Sequence, residues 1–400
     1  MIDIKLIREQ TDLVKAGVSK KNSDPSKIDT ILELDKKRLE ILRKVEALRQ
    51  ERNTLSRENF ERGKGIKEEL KTLEPELEEI EKNFKSLLHE IHNLPFDESP
   101  AGKGEAENVE LKIIGEKTQF NFSPKDHVEI GKNLDILDFE QGAKVAGSGF
   151  YYLKGAGALL EIALINYGLQ FLTHRGFIPI ITPDLAREKY YLGTGYNPKG
   201  EEAQTYKIEE SDLGLIATSE VTIAGYHADE IIQSLDNPKL YGGYSHCFRM
   251  ESGAYGKYSK GLYRVHQFTK VEMFAYTKKE DSKRMHEKLL ELEEEYWQSL
   301  GIPYRVLEMC AGDLGAQAAR KFDLEAWMPG RDDWGEVTST SNTTDYQARN
   351  LNIRYHDGKN VEFAHMLNGT LVATSRAIIA ILENFQQEDG TVKVPEVLKV

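Results

Sequence analysis

A short run of cations and acids, residues 248–272, "FRMESGAYGKYSKGLYRVHQFTKVE", is the part of the sequence best suited to chemistry. The chain as a whole is acidic, with a formal net charge of -13 at pH 7. This stretch nevertheless holds five Lys or Arg side chains among glycines, with Glu251 and Glu272 at its two ends. Lys and Arg side chains that lie close together inside a protein need a negatively charged partner. We therefore expect this stretch to hold an anionic ligand.

Alternating residue types within 262–276 predict a β-strand with two unlike faces. One face would carry a polar and aromatic row made up of Arg264, His266, Phe268, Lys270, Glu272 and Phe274. The other face would carry Val265, Gln267, Val271 and Met273. A preceding strand would place Arg249 and Glu251 on one shared face. The sequence contains neither a "GxxxxGK[ST]" loop nor a "GxGxxG" turn after a strand, so a nucleotide here would lie on sheet side chains.

Two apolar stripes at helical spacing dominate the first quarter of the chain. One runs from Ile31 to Asn59 and the other from Ile66 to Leu94, with "RGKG" at 62–65 between them. Each stripe can be buried only by the other, which predicts an antiparallel helical hairpin that turns at 62–65. Pro75 predicts a kink in the second helix, or the start of that helix.

Charge is uneven along this hairpin. Its first helix and tip are rich in Lys and Arg, whereas its second helix carries a run of glutamates between residues 74 and 81. This pattern is typical of a solvated coiled-coil surface with interhelical ion pairs. It would equally suit a basic edge that binds phosphates.

The organisation of the rest of the chain predicts an α+β fold. The stretch "NLPFDESPAGKGEAEN" reads as a linker, and beyond it helix-like segments alternate with short strand-like runs. We expect an N-terminal antiparallel α-helical coiled-coil arm, residues 1–103, followed by a domain at 104–400 with a mainly antiparallel β-sheet flanked by helices.

Bulk composition excludes several classes of protein. The chain is 40% hydrophobic and 30% charged, and its start, "MIDIKLIREQ", lacks the apolar core of a secretory signal. We expect a cytoplasmic protein that makes no use of a membrane. Cys247 and Cys310 are too few for a disulfide framework or a thiolate zinc site, and we expect both to be buried.

Five segments in order resemble the seryl-tRNA synthetases, a family of class II aminoacyl-tRNA synthetases. The residues quoted at the outset resemble motif 2 of that class. "GFIPIITPDLAREKYYLGTG" resembles its motif 1 strand, with Pro183 as the motif proline, and "LNGTLVATSRAIIAILENF" resembles motif 3. "TSE" at 218–220 and "EVTSTSNTTDYQARN" at 336–350 also agree, so the resemblance spans essentially the whole chain.

The resemblance implies that the chain activates L-serine with ATP to seryl-adenylate and transfers serine to tRNA(Ser). By this resemblance Arg249 and Arg376 are the catalytic residues, with Arg249 bridging the serine carboxylate and the α-phosphate. Phe268 would stack on adenine, and Glu251 would contact its amino group. The full set implied to bind ATP is Arg249, Met250, Glu251, Val265, Phe268, Glu336, Val337, Thr338, Ser339 and Arg376. Glu336 and Ser339 would hold Mg²⁺, which prefers oxygen ligands.

The resemblance also implies where serine binds and which partners take part. Serine would lie among Thr218, Ser219, Glu220, Glu272 and Thr370. The hairpin would bind tRNA(Ser), with Arg38, Arg43, Arg49, Arg52 and Arg57 as candidates, and two copies would form a homodimer through motif 1. Whether selenocysteine tRNA is also charged is left open.

Three departures from the family pattern and two other functions are to be weighed, and the first departure is a hairpin shorter by a couple of turns. Thr370 stands where many bacterial members have serine, and Gly149 stands where the family usually has arginine. A related ligase could load an amino acid on a carrier protein, but such relatives usually lack the arm. A non-catalytic RNA-binding paralogue would be expected to have lost its ATP residues, which are present here. His266 is best explained as an oriented structural residue, because this reaction needs no general base there.

Overall fold

A computed structural model describes residues 1–55, 59–196, 205–251 and 259–399. The chain divides into two compact units, Met1–Leu94 and Pro95–Val400. The division lies within the proline-, glycine- and acid-rich stretch at 93–108 that the sequence marks as a linker, somewhat before the boundary at 103 expected above.

Twelve α-helices lie in the described residues: α1 Ile4–Glu9, α2 Thr11–Lys20, α3 Ser26–Thr54, α4 Phe60–His89, α5 His127–Asn133, α6 Phe139–Ala146, α7 Ala156–Thr173, α8 Glu188–Thr194, α9 Glu220–Tyr226, α10 Ser282–Leu300, α11 Tyr346–Leu351 and α12 Thr374–Asn384. Short 3₁₀ turns occupy Glu105–Glu107, Gly261–Tyr263, Ala311–Asp313 and Glu396–Leu398.

Fifteen strands are found in the same residues: β1 Val109–Ile114, β2 Leu137–Asp138, β3 Tyr152–Leu153, β4 Ile178–Ile181, β5 Leu185–Arg187, β6 Leu213–Leu215, β7 Ile231–Ile232, β8 Lys239–Phe248, β9 Gln267–Thr277, β10 Tyr304–Glu308, β11 Arg320–Met328, β12 Asp333–Asn342, β13 Arg354–Asp357, β14 Asn360–Phe363 and β15 His365–Ala373.

The first unit is built around the long hairpin of α3 and α4, as predicted. Arg49 pairs with Glu74 and Arg38 approaches Glu81, so the two helices run antiparallel. The seam between them is apolar, with a buried set made up of Ile41, Val45, Leu48, Ile66 and Leu70. Packing of these two stripes stabilises helices that would be marginal alone.

The predicted position of the hairpin turn was wrong. Residues 62–65 lie inside α4, which begins at Phe60, and the amide of Gly63 already donates to the main-chain oxygen of Asn59 at 3.0 Å. Arg62 pairs with Glu51 and Glu69 across and along the hairpin, which favours helix despite the two glycines. Helix α4 does not start at Pro75 either but continues through it, without the amide hydrogen bond that proline cannot make.

The second unit contains an eight-stranded sheet with the order β1-β10-β11-β12-β15-β9-β8-β4. Its neighbouring strands are antiparallel, except that β4 pairs with β8 in parallel. The predicted mainly antiparallel sheet flanked by helices is therefore confirmed. Strands β9 and β15, which come from distant parts of the chain, lie side by side in its interior.

Helices cover this sheet on both faces. Helices α7, α10 and α12 share one apolar core with β9, which includes Val271 and Met273. Helices α9 and α11 share another core with the opposite face of β9, which includes Phe274 and Tyr276. Both cysteines are buried, as predicted.

Helix α7 is, among the described residues, the one helix long and apolar enough to cross a membrane by length and composition. Its residues Leu164, Phe171 and Leu172 are buried in the core beneath the sheet. The core helix of a globular domain can have the same composition, so one such helix is weak evidence for a membrane span.

The predicted strand at 262–276 was partly wrong. Its face assignment agrees with the structure from Phe268 to Phe274, because Val271 and Met273 point into the opposite core. Strand β9 begins only at Gln267, however, and Gly261–Tyr263 form a 3₁₀ turn. Gly261 has φ +60°, and the Leu262 amide donates to His127 Nε2 at 3.1 Å, so this segment is tied to α5 instead of to a strand.

Candidate active site

Strands β9, β12 and β15, with residues that follow β8, line a cleft of about 470 Å³, part of which is open to solvent. Helix α12 begins at its wall. The lining residues are Arg249, Glu251, Tyr263, Arg264, Val265, Phe268, Lys270, Glu336, Val337, Thr338, Thr370, Ala373, Ser375 and Arg376. Eight of the ten predicted ATP-binding residues are in this lining, whereas Met250 and Ser339 are not.

Arg249 and Arg376 enter the cleft from different elements. Arg249 follows β8, and its guanidinium lies 5.2 Å from the ring centroid of Phe268. Arg376 lies in the first turn of α12, and its guanidinium lies 4.8 Å from the ring centroid of Tyr263. The two predicted catalytic arginines therefore share one cavity.

Glu336 is held in the ionised form by its surroundings. Arg376 Nη1 donates to its carboxylate at 2.9 Å. Burial alone would raise the pKa of Glu336, but the charges of Arg376 and Lys321 outweigh burial and lower that pKa to about 2. An anionic oxygen therefore faces the cleft at neutral pH.

A register shift in β12 places Glu336 and Ser339 on the same face of the sheet. Thr338 lies opposite Leu324 and Glu336 lies opposite Glu325, so Val337 is the extra residue of a bulge. Ser339 also hydrogen-bonds to the carboxylate of Asp323. The Val337 side chain is buried in the core, so only the backbone of this residue can face the cleft.

Oxygen atoms from Glu336 and Ser339 fit a hard cation such as Mg²⁺. Within the described ranges, no group of three or more His, Cys, Asp or Glu side chains is arranged to hold a metal ion alone. A cation here would therefore take most of its ligands from phosphate and water, which is the usual arrangement for Mg²⁺.

Glu251 and Arg264 form an ion pair at the mouth of the cleft. Glu251 has φ +49°, which turns the chain immediately after β8. Residues 252–258, which follow, lie outside the described residues. Met250, between Arg249 and Glu251, is exposed.

A second polar group lies on β9 and β15 at the floor of the cleft. The Lys270 ammonium forms an ion pair with Glu272 and donates to Thr370 Oγ1 at 3.2 Å. Thr370 Oγ1 also lies 3.2 Å from Glu272 Oε2. All three side chains are buried. Glu272 and Thr370 were predicted, whereas Lys270 was given no role although its place in the alternating row pointed to it.

The "TSE" segment brings a third polar group to the same region. Thr218, Ser219 and Glu220 are all buried at the start of α9. Burial raises the pKa of Glu220 to about 7, and the negative charge of Glu272 contributes in the same direction. The two predicted serine acids are therefore close enough for the charge of Glu272 to act on Glu220.

Tyr196, which the sequence did not single out, connects these groups. Its hydroxyl donates to Glu220 Oε2 at 3.0 Å. Burial raises the pKa of Tyr196 well above its usual value, Glu220 raises it further, and Arg249 opposes them. Tyr196 therefore contacts the acid of the "TSE" segment and lies within range of the charge of Arg249.

His266 is held as a structural residue, in line with its interpretation above. Its Nδ1 lies 2.9 Å from Tyr206 Oη and 2.9 Å from the main-chain oxygen of Arg249. Its ring stacks on Phe150 with centroids 5.3 Å apart. Gly149 has φ +81°, and a Cβ there would lie 2.3 Å from His266 Cδ2, so a larger residue at 149 would have to displace this imidazole.

The arginines predicted to bind tRNA differ in their ion pairs and in their exposure to solvent. Arg38 is bound to Asp35 and lies against Phe84. Arg49 pairs with Glu74, whereas Arg43 and Arg52 are exposed. Arg57 lies outside the described residues.

Both units match known protein families. Residues 1–95 match the seryl-tRNA synthetase N-terminal domain, and residues 205–385 match the tRNA synthetase class II core domain (G, H, P, S and T). The serine--tRNA ligase of Dictyoglomus turgidum is 51% identical over 414 aligned residues, which cover 100% of this chain and 97% of that protein. The chain belongs to the seryl-tRNA synthetase family.

Solved seryl-tRNA synthetases share this fold. The enzyme from Pyrococcus horikoshii, solved in complex with ATP, superposes with a TM-score of 0.91 at 41% identity and covers 100% of this chain and 97% of its own. The cytoplasmic enzyme from Naegleria fowleri, solved with AMP, gives a TM-score of 0.87 at 35% identity, covering 100% and 96%. The match extends over the arm and the synthetase domain alike.

Proposed function

We propose that this chain is a serine--tRNA ligase. It would activate L-serine with ATP to seryl-adenylate and transfer serine to tRNA(Ser), releasing diphosphate and AMP. The observation that carries this proposal is that Arg249 and Arg376 line one cleft whose floor continues into the Lys270, Glu272 and Thr370 group. A triphosphate and a small hydroxylated amino acid could therefore lie side by side.

ATP would be held by side chains of the sheet. Phe268 offers a ring for adenine to stack on, and Glu251 offers a carboxylate to the adenine amino group once its ion pair with Arg264 rearranges. Val265 and the backbones of Met250, Val337 and Thr338 would complete the nucleotide site. Arg376 would bind the γ-phosphate end from the wall of the cleft.

Chemistry at phosphorus would be driven by positioning and charge. A serine carboxylate oxygen attacks the α-phosphorus while the bond to the diphosphate oxygen breaks, and diphosphate leaves with the electron pair. Arg249 would neutralise charge on the carboxylate and the α-phosphate. Glu336 and Ser339 would hold Mg²⁺, which would supply further positive charge to the phosphate oxygens.

Serine would lie among Thr218, Ser219, Glu220, Glu272 and Thr370. A buried site built to hydrogen-bond a hydroxyl rejects an analogue without one, because its own polar groups are then left unpaired. Glu272 and Thr370 suit that hydroxyl, since they already form a hydrogen-bonded pair that a further hydroxyl can join.

Transfer RNA would bind along the helical arm. Arg43 and Arg52 are exposed on α3 and are the best-placed candidates, followed by Arg49. Their contacts would be with the backbone and shape of tRNA(Ser), since a helix surface cannot read the bases of A-form RNA. We place the reaction in the cytoplasm, where ATP and tRNA are available.

A homodimer would be formed through β4 and α7. Ile181 on edge strand β4 is 77% exposed, and Leu159 on α7 is 67% exposed, with Ile162 and Ile178 also exposed. Exposed apolar residues grouped on an edge strand and a helix are typical of an interface. Sedimentation of Ile181→Asp should show monomers where the wild type shows dimers, with Val361→Asp on β14 as a matched control; dimers in both variants would contradict this interface.

The deciding experiment is serine-dependent exchange of diphosphate into ATP, followed by charging of total tRNA. Exchange without charging of tRNA would favour a carrier protein as acceptor. Absence of exchange with serine would contradict the proposed function and favour a non-catalytic RNA-binding role.

A further inference from the structure

Two uncharged side chains from separate parts of the chain donate hydrogen bonds to the Glu220 carboxylate. Gln347 Nε2, on α11, donates to Glu220 Oε1 at 2.7 Å, and Tyr196 Oη, just beyond α8, donates to Oε2 at 3.0 Å. Glu220 is 3% exposed and Gln347 is 0% exposed. Each carboxylate oxygen therefore has one fixed partner and keeps lone pairs for another.

The side-chain amide of Gln347, which donates to Glu220, is itself held in one orientation. Gln347 Nε2 also donates to the main-chain oxygen of Thr194 at 3.0 Å, and Gln347 Oε1 lies 3.2 Å from Thr343 Oγ1, whose hydroxyl has a nearer acceptor in the main-chain oxygen of Met366. Reversing the amide would place its oxygen against two acceptors. The nitrogen must therefore face Glu220, and the carboxylate cannot rotate freely.

The two acids of the serine site differ in charge balance. Glu272 is in contact with a cation, the Lys270 ammonium. Within the part of the chain that the structure describes, Glu220 forms no ion pair. Counted without Arg249, which lines the same cleft, two carboxylates and one ammonium leave this group one negative charge in excess when all are ionised. A buried carboxylate without a cation is costly, so the site would gain most from a ligand that supplies one.

We infer that Tyr196 and Gln347 are positioning residues that hold the Glu220 carboxylate to receive the ammonium group of the substrate. Glu272, already neutralised by Lys270 and bonded to Thr370, is left for the hydroxyl. This inference rests on the proposed function, because it assumes that serine occupies the site.

The test compares Tyr196→Phe and Gln347→Met with wild type in serine-dependent exchange. Each variant removes one donor to Glu220 and keeps most of the side-chain volume. We expect KM for serine to rise at least about tenfold, the effect of losing one hydrogen bond to a charged group, with kcat and KM for ATP within about twofold.

Inhibition of exchange by analogues separates positioning from general damage. Alanine keeps the ammonium group and lacks the hydroxyl, whereas glycerate keeps the hydroxyl and lacks the ammonium group. Inhibition by alanine should weaken in both variants, and inhibition by glycerate should not change. Tyr191→Phe is the matched control, because the buried Tyr191 hydroxyl donates to the main-chain oxygen of Gly214 and not to Glu220.

An unchanged KM for serine in both variants would overturn the inference, as would equal weakening of alanine and glycerate. Should Gln347→Met fail to fold, Tyr196→Phe decides alone, since it removes a single oxygen atom. Wild-type protein without serine-dependent exchange would instead contradict the proposed function, so the two failures are distinguishable.

Discussion

Arg376 Nη1 donates to both the main-chain oxygen and the carboxylate of Glu336, each at 2.9 Å. The guanidinium is thus oriented by β12 before any ligand binds, and it also lies over Tyr263. A donor that is already in place needs no reorganisation when charge develops on a phosphate, which is the condition for effective electrostatic catalysis.

Replacement of either cleft arginine should abolish adenylate formation without unfolding the protein. We expect Arg249→Ala and Arg376→Ala each to lower kcat/KM in serine-dependent exchange at least about 100-fold, because one charge-stabilising donor is lost. Arg175→Ala, which removes a partner of Glu295 outside the cleft, should leave exchange unchanged. Near-normal exchange in Arg249→Ala would contradict its assigned role.

Removal of the Thr370 hydroxyl should weaken serine binding selectively. Thr370→Val keeps the shape but removes the hydroxyl that contacts both Glu272 and Lys270, so KM for serine should rise roughly tenfold to a hundredfold while KM for ATP does not change. The preference for serine over alanine should fall. Thr277→Val is the control, because Thr277 is equally buried on β9 and its hydroxyl has no recorded partner among the described residues. A preserved preference would place the substrate hydroxyl elsewhere.

Serine binding should depend on pH near neutrality. Burial and Glu272 raise the pKa of Glu220 to about 7, so Glu220 is increasingly protonated as pH falls below that value. An ammonium group binds the ionised form, and KM for serine should therefore rise as pH falls from 8 to 6, approaching tenfold per pH unit at the acid end. Glu220→Gln should have a higher KM that no longer varies in this way, and a flat wild-type profile would be evidence against Glu220 as the amine receptor.

Changes to the helical arm should impair the charging of tRNA and spare the formation of seryl-adenylate. Arg43→Glu together with Arg52→Glu should raise KM for tRNA in charging at least about tenfold, since favourable phosphate contacts become repulsive, and should leave exchange unchanged. Deletion of 36–90 should have the same effect in stronger form. Arg284→Glu, a highly exposed site on α10, is the charge-matched control for the point variants. Loss of exchange in the point variants would mean that the arm acts on more than tRNA.

The buried His127 and Glu383 pair should stabilise the fold behind the cleft. Glu383 accepts from His127 Nδ1 at 2.8 Å and from the Gly330 amide at 2.9 Å, and His127 in turn holds Leu262 beside Tyr263. We expect Glu383→Ala to lower the free energy of unfolding by about 2–6 kcal/mol, because the buried His127 Nδ1–H and the Gly330 amide lose their acceptor at about 1–3 kcal/mol each. Chemical denaturation would measure this, with exposed Glu388→Ala as control; a loss under about 1 kcal/mol would show that the pair is dispensable.

Local patterns in the sequence were enough to predict much of the cleft. Alternation within β9 placed Phe268, Lys270 and Glu272 on one face, and helical spacing predicted the α3 and α4 hairpin. These features depend on periodicity, which a single sequence displays directly.

Features that depend on distant contacts could not be predicted in this way. The turn at Gly261–Tyr263 exists because His127 binds Leu262, and nothing in the local pattern records that partner. Gln347 and Glu220 are 127 residues apart along the chain, and an isolated glutamine carries no signal of the acid it will bind. A turn was expected at "RGKG", but these residues are helical, because the ion pairs of Arg62 with Glu51 and Glu69 favour helix there.

The position of β15 between β9 and β12 has a consequence for biosynthesis. Strand β15 follows every other strand of this sheet in chain order, so the middle of the sheet stays incomplete until β15 has been translated. A nascent or prematurely terminated polypeptide would lack Thr370 and Arg376, and with them the wall and floor of the cleft. Such fragments could not consume ATP, and a ligand-binding assay on ribosome-bound chains should register affinity only once helix α12 has emerged.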